Sequence, residues 1–218
     1  TDTLGRDLWT RVCYGTRISL YIALVAVLID MVIGITYGMI CGYFGGAVDM
    51  ILQRVVEIIN GIPQLVVVTL LLVILKPGLF TITLALLITS WIGMSRVVRA
   101  QVLQLKEQEY ILASRTLGTP TWVILFKEIL PNTMGQVIIL AMMSVPSAIF
   151  TESFLSFVGL GIPAPLASLG SLISTGFQNI LTYPYQVAIP VVIFSALMIS
   201  FNLTADGLRD AIDPKMWQ

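Results

Sequence analysis

Histidine is absent from the 218 residues, and only 11% of them are Asp, Glu, Lys or Arg. Without histidine, His-ligated zinc centres and imidazole acid–base catalysis are excluded. A soluble domain carries about 25% charged residues, so the polar cover needed to face water is missing. Twelve basic residues balance twelve acidic ones, which leaves no net charge to draw in nucleic acid. The two cysteines, Cys13 and Cys41, lie at opposite ends of one apolar run, where neither a disulfide nor a two-thiol metal site is expected. No glycine-rich loop ends in Gly-Lys-Ser/Thr, so ATP hydrolysis is not expected on this chain. The first residue is not Met and no signal peptide precedes the first apolar run, so the chain reads as a fragment lacking its own N-terminus.

What the sequence has is hydrocarbon: 57% of its residues are apolar. About 20 mostly apolar helical residues cross the roughly 30 Å interior of a bilayer. Five stretches qualify, at about 18–41, 50–75, 79–102, 133–160 and 187–203. The second carries Arg54 and Glu57 and is interrupted by Gly61 and Pro63; the fourth contains Pro146. The reading is an all-α, polytopic membrane helical bundle, with residues 204–218 as a C-terminal cytoplasmic tail.

Basic residues set the orientation. Arg96, Arg99, Lys106, Arg115 and Lys127 cluster around the segment between spans three and four, and Arg209 and Lys215 follow span five. Residues 161–186 hold no charge of either sign. Placing the basic segment and the tail in the cytoplasm runs the first span from outside to inside. Arg6, Arg11 and Arg17 then fall outside, and one further span before residue 1 would give an even total of six. Residues 1–17 place Leu4, Leu8 and Val12 at four-residue spacing, with Trp9 and Tyr14 suited to the headgroup zone, which predicts a short extracytoplasmic helix lying on the membrane surface. The uncharged 161–186 segment is too apolar for a solvated loop and predicts a re-entrant or surface-lying element.

The stretch EYILASRTLGTPTWVILFKEILPN, residues 109–132, is the polar exception. Tyr110, Ala113, Ser114 and Leu117 fall at i, i+3, i+4 and i+7, on one helical face that is small in its middle. Gly118 suits a left-handed C-cap. Thr119 is then expected to cap a second helix with Pro120 in its first turn. That helix, carrying Trp122, Phe126 and Leu130, should end at Pro131 before leading into span four.

Other residues invite two readings each. Gly34, Gly38 and Gly42 recur every four residues, a stripe for close helix packing within the fold or against a partner. Asp30 falls mid-span, where a carboxylate needs a polar partner or a wet path. Glu152, in the outer part of span four, suits either hydration at the outer mouth or contact with a peptide's ammonium end. Pro146, like Gly61 and Pro63, interrupts backbone bonding either for packing or along a pathway. Arg54 and Glu57 most simply pair with each other or with lipid headgroups.

Five blocks spread from Leu4 to Pro214 carry a resemblance: LGRDLWTRVCYGTRISL, GYFGGAVDMILQRVVEIINGIP, EYILASRTLG, ESFLSFVGLGIPAP and FNLTADGLRDAIDP. They resemble the permease subunits of binding-protein-dependent ABC importers, in the dipeptide/oligopeptide/nickel branch and its second (C-type) permease partner. The family's cytoplasmic-loop pattern is Glu-Ala-Ala, three residues, Gly, nine residues, Ile-x-Leu-Pro. Here Ala113, Gly118 and Leu130-Pro131 match it, while Leu112, Ser114 and Glu128 depart from it.

The resemblance implies a type I ABC importer permease fold with five spans in this fragment and six in the full chain. It implies half of a translocation pathway for di- or oligopeptides, with nickel or another small solute as the alternative cargo. Residues 105–131 become a cytoplasmic coupling region, with Glu109, Tyr110, Ala113, Ser114, Leu117 and Gly118 docking on an ATPase. The implied partners are a second homologous permease in a heterodimer, two cytoplasmic ATPase subunits that carry ATP and Mg, an extracytoplasmic binding protein, and the lipid of a bacterial or archaeal plasma membrane. Asp30, Glu152 and Pro146 are candidate pathway residues, and Gly34, Gly38 and Gly42 are assigned to helix packing. No catalytic or metal-binding residue and no nucleic-acid partner is expected. A self-sufficient carrier driven by a proton at Asp30 or Glu152, and a membrane enzyme or scaffold, are the competing classes.

Overall fold

A computed structural model describes residues 1–212, and all regular structure among them is helical. The chain forms two compact units. The first unit comprises Thr1–Val27, Pro63–Leu86 and Met142–Gly207; the second comprises Leu28–Ile62, Leu87–Ala141 and the chain from Leu208. Four helices are long and apolar enough to cross a membrane, and a bent pair makes a fifth candidate.

Helix α1 (Leu8–Phe44) is a single 37-residue rod. At about 1.5 Å per residue it is far longer than the hydrocarbon is thick. The predicted boundary between a surface helix over 1–17 and a span from residue 18 is therefore absent. Leu8 and Val12 explain the continuity. They are buried in the first unit against Ala167, Leu169 and Leu172, with Ile189 and Phe194 packed around them. Gly15 lets the rod lie this close, since a Cβ there would come 3.1 Å from the carbonyl carbon of Ser168. Leu4, Trp9 and Tyr14 remain exposed.

Ahead of α1, Asp2 accepts bonds from the Arg6 and Leu4 amides and from the Arg6 and Arg11 guanidiniums. Burial alone would raise its pKa, but these donors outweigh that and lower it to about 2. The carboxylate's contribution is thus intact above the ordinary Asp range and is lost only as pH falls through about 2.

The span expected over 50–75 is a pair, α2 (Gly46–Asn60) and α3 (Gln64–Ile74), bent by 77°. Pro63 stands immediately before α3, where its missing N–H costs nothing to the ladder. The third span divides into α4 (Leu79–Thr89) and α5 (Trp91–Leu105) around Ser90. The short helix α6 (Glu109–Thr116) follows. Then α7 (Thr121–Val123), a π-helical turn (Ile124–Ile129) and α8 (Leu130–Phe157) run on as one 37-residue segment.

The predicted helix end at Pro131 is therefore absent. A proline ring clashes with the carbonyl four residues back, and the wide π turn just upstream relieves that crowding. Its i→i−5 bond, from the Leu130 amide to the Leu125 carbonyl, closes the turn. Thr119 does not cap this segment either. Pro120 holds the N-cap position instead, and the Thr119 amide bonds back to the Ser114 carbonyl.

The uncharged 161–186 stretch contains α9 (Leu169–Gln178), whose ten residues rise only about 15 Å, too little to cross. Ser168 and Ser171 cap it reciprocally. Helix α10 (Tyr185–Ile212) includes Pro190 and buries only 6% of its apolar window. The expected tail over 204–218 continues this helix to Ile212, and its remainder, with Lys215, lies outside the described residues.

In the second unit the glycine stripe of α1 meets α5. A Cβ at Gly34 would lie 2.6 Å from Met94 Cβ, one at Gly38 2.6 Å from the Ser95 carbonyl, and one at Gly42 2.7 Å from Val102 Cβ. Trp91 packs with Val56 and Ile92 beside Tyr37, whose hydroxyl donates to the Leu52 carbonyl at 2.7 Å. The Arg99 guanidinium forks onto both oxygens of Asp49, tying α5 to α2. Arg54 and Glu57 pair at 2.8 Å, but both are exposed, and such a pair adds little.

Gly38→Val should force α1 off α5 and lower the thermal stability of the purified protein by about 1–3 kcal/mol. Gly93→Ala, where a Cβ meets open space, should not. Equal melting temperatures for the two variants would show that the stripe is slack.

Candidate coupling segment and buried acids

Helix α6 begins after the extended residue Gln108 and ends in a left-handed turn. Gly118 has φ +77; its amide bonds the Arg115 carbonyl, and that of Thr119 bonds the Ser114 carbonyl. Those two bonds form a Schellman closure, which glycine enters without the Cβ penalty.

The helix is held from three sides within its unit. Ile111 is completely buried. Ser114 Oγ donates to Glu128 Oε1 at 2.9 Å, across to the π turn. The Arg115 guanidinium lies 4.7 Å from the centre of the Tyr43 ring at the end of α1. Asn132 adds a fourth tie, its amide reaching the Glu128 carbonyl at 2.5 Å and the Tyr110 hydroxyl at 3.4 Å.

The six residues expected to form one docking face are thus divided. Glu109, Ala113, Leu117 and Gly118 are exposed, Leu117 at 84%. Tyr110 is exposed yet leans toward Asn132, and Ser114 is half-buried, turned inward to Glu128. Glu128 was visible in the sequence only as a departure from a motif; nothing in the spacing announced that it would meet Ser114.

The two deep acids occupy separate units, Asp30 bonded by one serine hydroxyl and Glu152 by several. Asp30 is 4% exposed and accepts a short bond from Ser90, the residue at the turn between α4 and α5. Glu152 is fully buried, contrary to the expectation of hydration at an outer mouth. Ser19 Oγ donates to its Oε2 at 2.9 Å and Ser156 Oγ to its Oε1 at 2.8 Å. Ser19 also accepts the Leu169 amide at 3.2 Å, and Ser156 lies 3.3 Å from the capping Ser168. The carboxylate therefore fastens α1, α8 and the start of α9 together. Gly170 completes the fit, because a Cβ there would sit 2.3 Å from Ser153 Cα. No ion pair reaches Glu152 among the described residues. The four serines, spread over 150 positions, carried no sequence signal. Pro146 is buried inside α8 without ending it.

Such an arrangement suits a membrane-spanning scaffold with a rigid polar joint at α6. No cluster of three potential metal ligands occurs among the described residues. Residues 34–218 match the family described as binding-protein-dependent transport system inner membrane component. The chain belongs to that family. It is 51% identical over 217 residues to the dipeptide transport system permease protein DppC of Bacillus subtilis (strain 168), covering 99% of this chain and 68% of that protein. It is 50% identical to the oligopeptide transport system permease protein OppC of the same organism (99% and 71% covered). Against the dipeptide permease DppC of Lactococcus lactis subsp. cremoris (strain MG1363) identity is 48%, covering 99% of this chain and 63% of that one. Among solved structures, the inward-facing MetNI methionine ABC transporter superposes with TM-score 0.74 at 19% identity, covering 98% of this chain and 100% of that chain. The fold is that of a type I ABC importer permease, and the chain is a multi-pass membrane protein.

Glu152→Ala should strip Ser19 and Ser156 of their acceptor and open a cavity, destabilising the protein by about 2–4 kcal/mol in a thermal melt. Glu152→Gln, which keeps an acceptor and the volume, should cost less. If both variants melt like the parent, the serine cage does not hold α9.

Proposed function

We propose that this chain is one of two homologous permease subunits in an ATP-driven importer of di- or oligopeptides. It forms half of the translocation pathway in a bacterial or archaeal plasma membrane. An extracytoplasmic binding protein delivers the cargo, and two cytoplasmic ATPase subunits bind ATP and Mg. The observation that carries this reading is identity of about half over nearly the whole chain to proteins named as dipeptide and oligopeptide permeases.

The geometry of α6 supports a mechanical role. A joint that transmits the closure of a soluble motor has to be stiff, anchored, and small where it enters the motor's cleft. Helix α6 is eight residues long, closed by Gly118 and anchored by Ile111, Ser114 and Arg115. It leaves Glu109, Ala113 and Leu117 exposed. In this reading, ATP-driven approach of the ATPases pushes α6, and α5 and α8 carry the displacement into the bilayer. Asp30, bonded by Ser90, and Glu152, caged by serines, serve as structural joints, and the pathway is lined by other residues.

The test is peptide uptake into proteoliposomes holding the complete complex and its binding protein. Uptake should require ATP. Ala113→Asp, or Gly118→Val (strained by about 1–2 kcal/mol at positive φ), should abolish it while the complex still assembles. Uptake that persisted without ATPases and collapsed with the proton gradient would replace this reading with a proton-driven carrier.

A further inference from the structure

Two of the three departures from the family loop pattern, Ser114 and Glu128, stand fourteen residues apart and bond to each other at 2.9 Å. Both belong to the second unit, Ser114 on α6 and Glu128 in the π turn that leads into α8. The Glu128 carbonyl is held in turn by Asn132, whose amide also reaches the Tyr110 hydroxyl one turn back along α6. One residue thus meets α6 through its side chain and, by way of Asn132, through its backbone.

The other carboxylate oxygen, Oε2, is buried with no hydrogen-bond partner among the described residues. Packing alone gives no reason for this. A carboxylate has sites for about four donors, and burying one that finds a single side-chain donor is unfavourable compared with an apolar residue of similar volume. What the carboxylate supplies, and a greasy residue cannot, is a directional contact that fixes how α6 is rolled on the foot of α8.

We propose that Glu128 is a positioning residue, whose bond to Ser114 sets the roll of α6 and removes slack between the ATPase-docking helix and α8. The proposal rests on the coupling reading above. Ile111, the Arg115–Tyr43 contact and the long 3.4 Å bond from Asn132 to Tyr110 hold α6 in place. Among the described residues, the 2.9 Å Ser114–Glu128 bond is the shortest hydrogen bond between a side chain of α6 and the foot of α8.

The experiment measures peptide uptake and ATP hydrolysis together, in proteoliposomes containing the complete transporter, for the parent, S114A, E128I and S114A/E128I. S114A leaves Oε1 without its serine donor beside the already unpartnered Oε2 and is the most disturbed. It should move about fivefold less peptide per ATP hydrolysed than the parent. E128I leaves only a serine hydroxyl, which can turn to a carbonyl of its own helix, and should lose less. The double variant also lacks the directional bond and should stay below the parental ratio, close to E128I. Two outcomes overturn the proposal: an unchanged peptide-per-ATP ratio in S114A, whether or not uptake and hydrolysis fall in parallel, or a double variant that regains the parental ratio. A parent complex that moves no peptide under ATP would overturn the importer reading itself, and this proposal with it.

Discussion

Inside hydrocarbon a backbone amide or carbonyl has no water to turn to, and every departure from a continuous helix must be satisfied by protein. This constraint organises the chain. Each interruption coincides with a local answer. The 77° bend between α2 and α3 falls at Gly61 and Pro63, where the Gly61 amide still bonds back to the Glu57 carbonyl. At the turn between α4 and α5, the Ser90 side chain is engaged by Asp30. Ahead of Pro131 the backbone widens into a π turn with its own i→i−5 bond. The rods remain rods even where proline enters them, as at Pro146 and Pro190.

The same constraint explains the ionisable residues. Among the described residues, Asp30 and Glu152 are met by serine hydroxyls rather than by opposite charge, Asp30 by Ser90 alone, and Glu152 joins elements distant in sequence. A hydroxyl donor keeps a carboxylate solvated where an exposed position in lipid would be costly. Arg99 and Asp49 satisfy each other by a fork that ties two helices of the second unit. At α6 the requirement changes sign. Polar groups there face outward or pair locally, and a left-handed glycine ends the helix abruptly. A stiff polar joint carried on greasy rods is the form expected of a membrane subunit driven by a soluble motor.

Much of the architecture was legible in the sequence because it depends on local, periodic properties. The five apolar stretches, the break around Gly61 and Pro63, the positive φ at Gly118 and the four-residue glycine stripe all follow from composition and spacing. Boundaries were less legible. Leu8 and Val12 have the spacing of a surface helix, yet they bury against Ala167, Leu169 and Leu172, which lie more than 150 positions away. Thr119 has the chemistry of an N-cap, but in the fold it closes α6 and the next helix starts from Pro120.

Sequence alone determined that this chain is a series of apolar helices suited to a membrane, interrupted by one short polar helical segment, because hydropathy and helical periodicity are summed over neighbouring residues. Only the tertiary structure decided which polar groups meet. Ser114 faces Glu128 instead of a partner, and Glu152 sits in a serine cage away from water. The physical reason is range. A hydrogen bond acts over about 3 Å, and which side chains come that close is set by how whole helices pack.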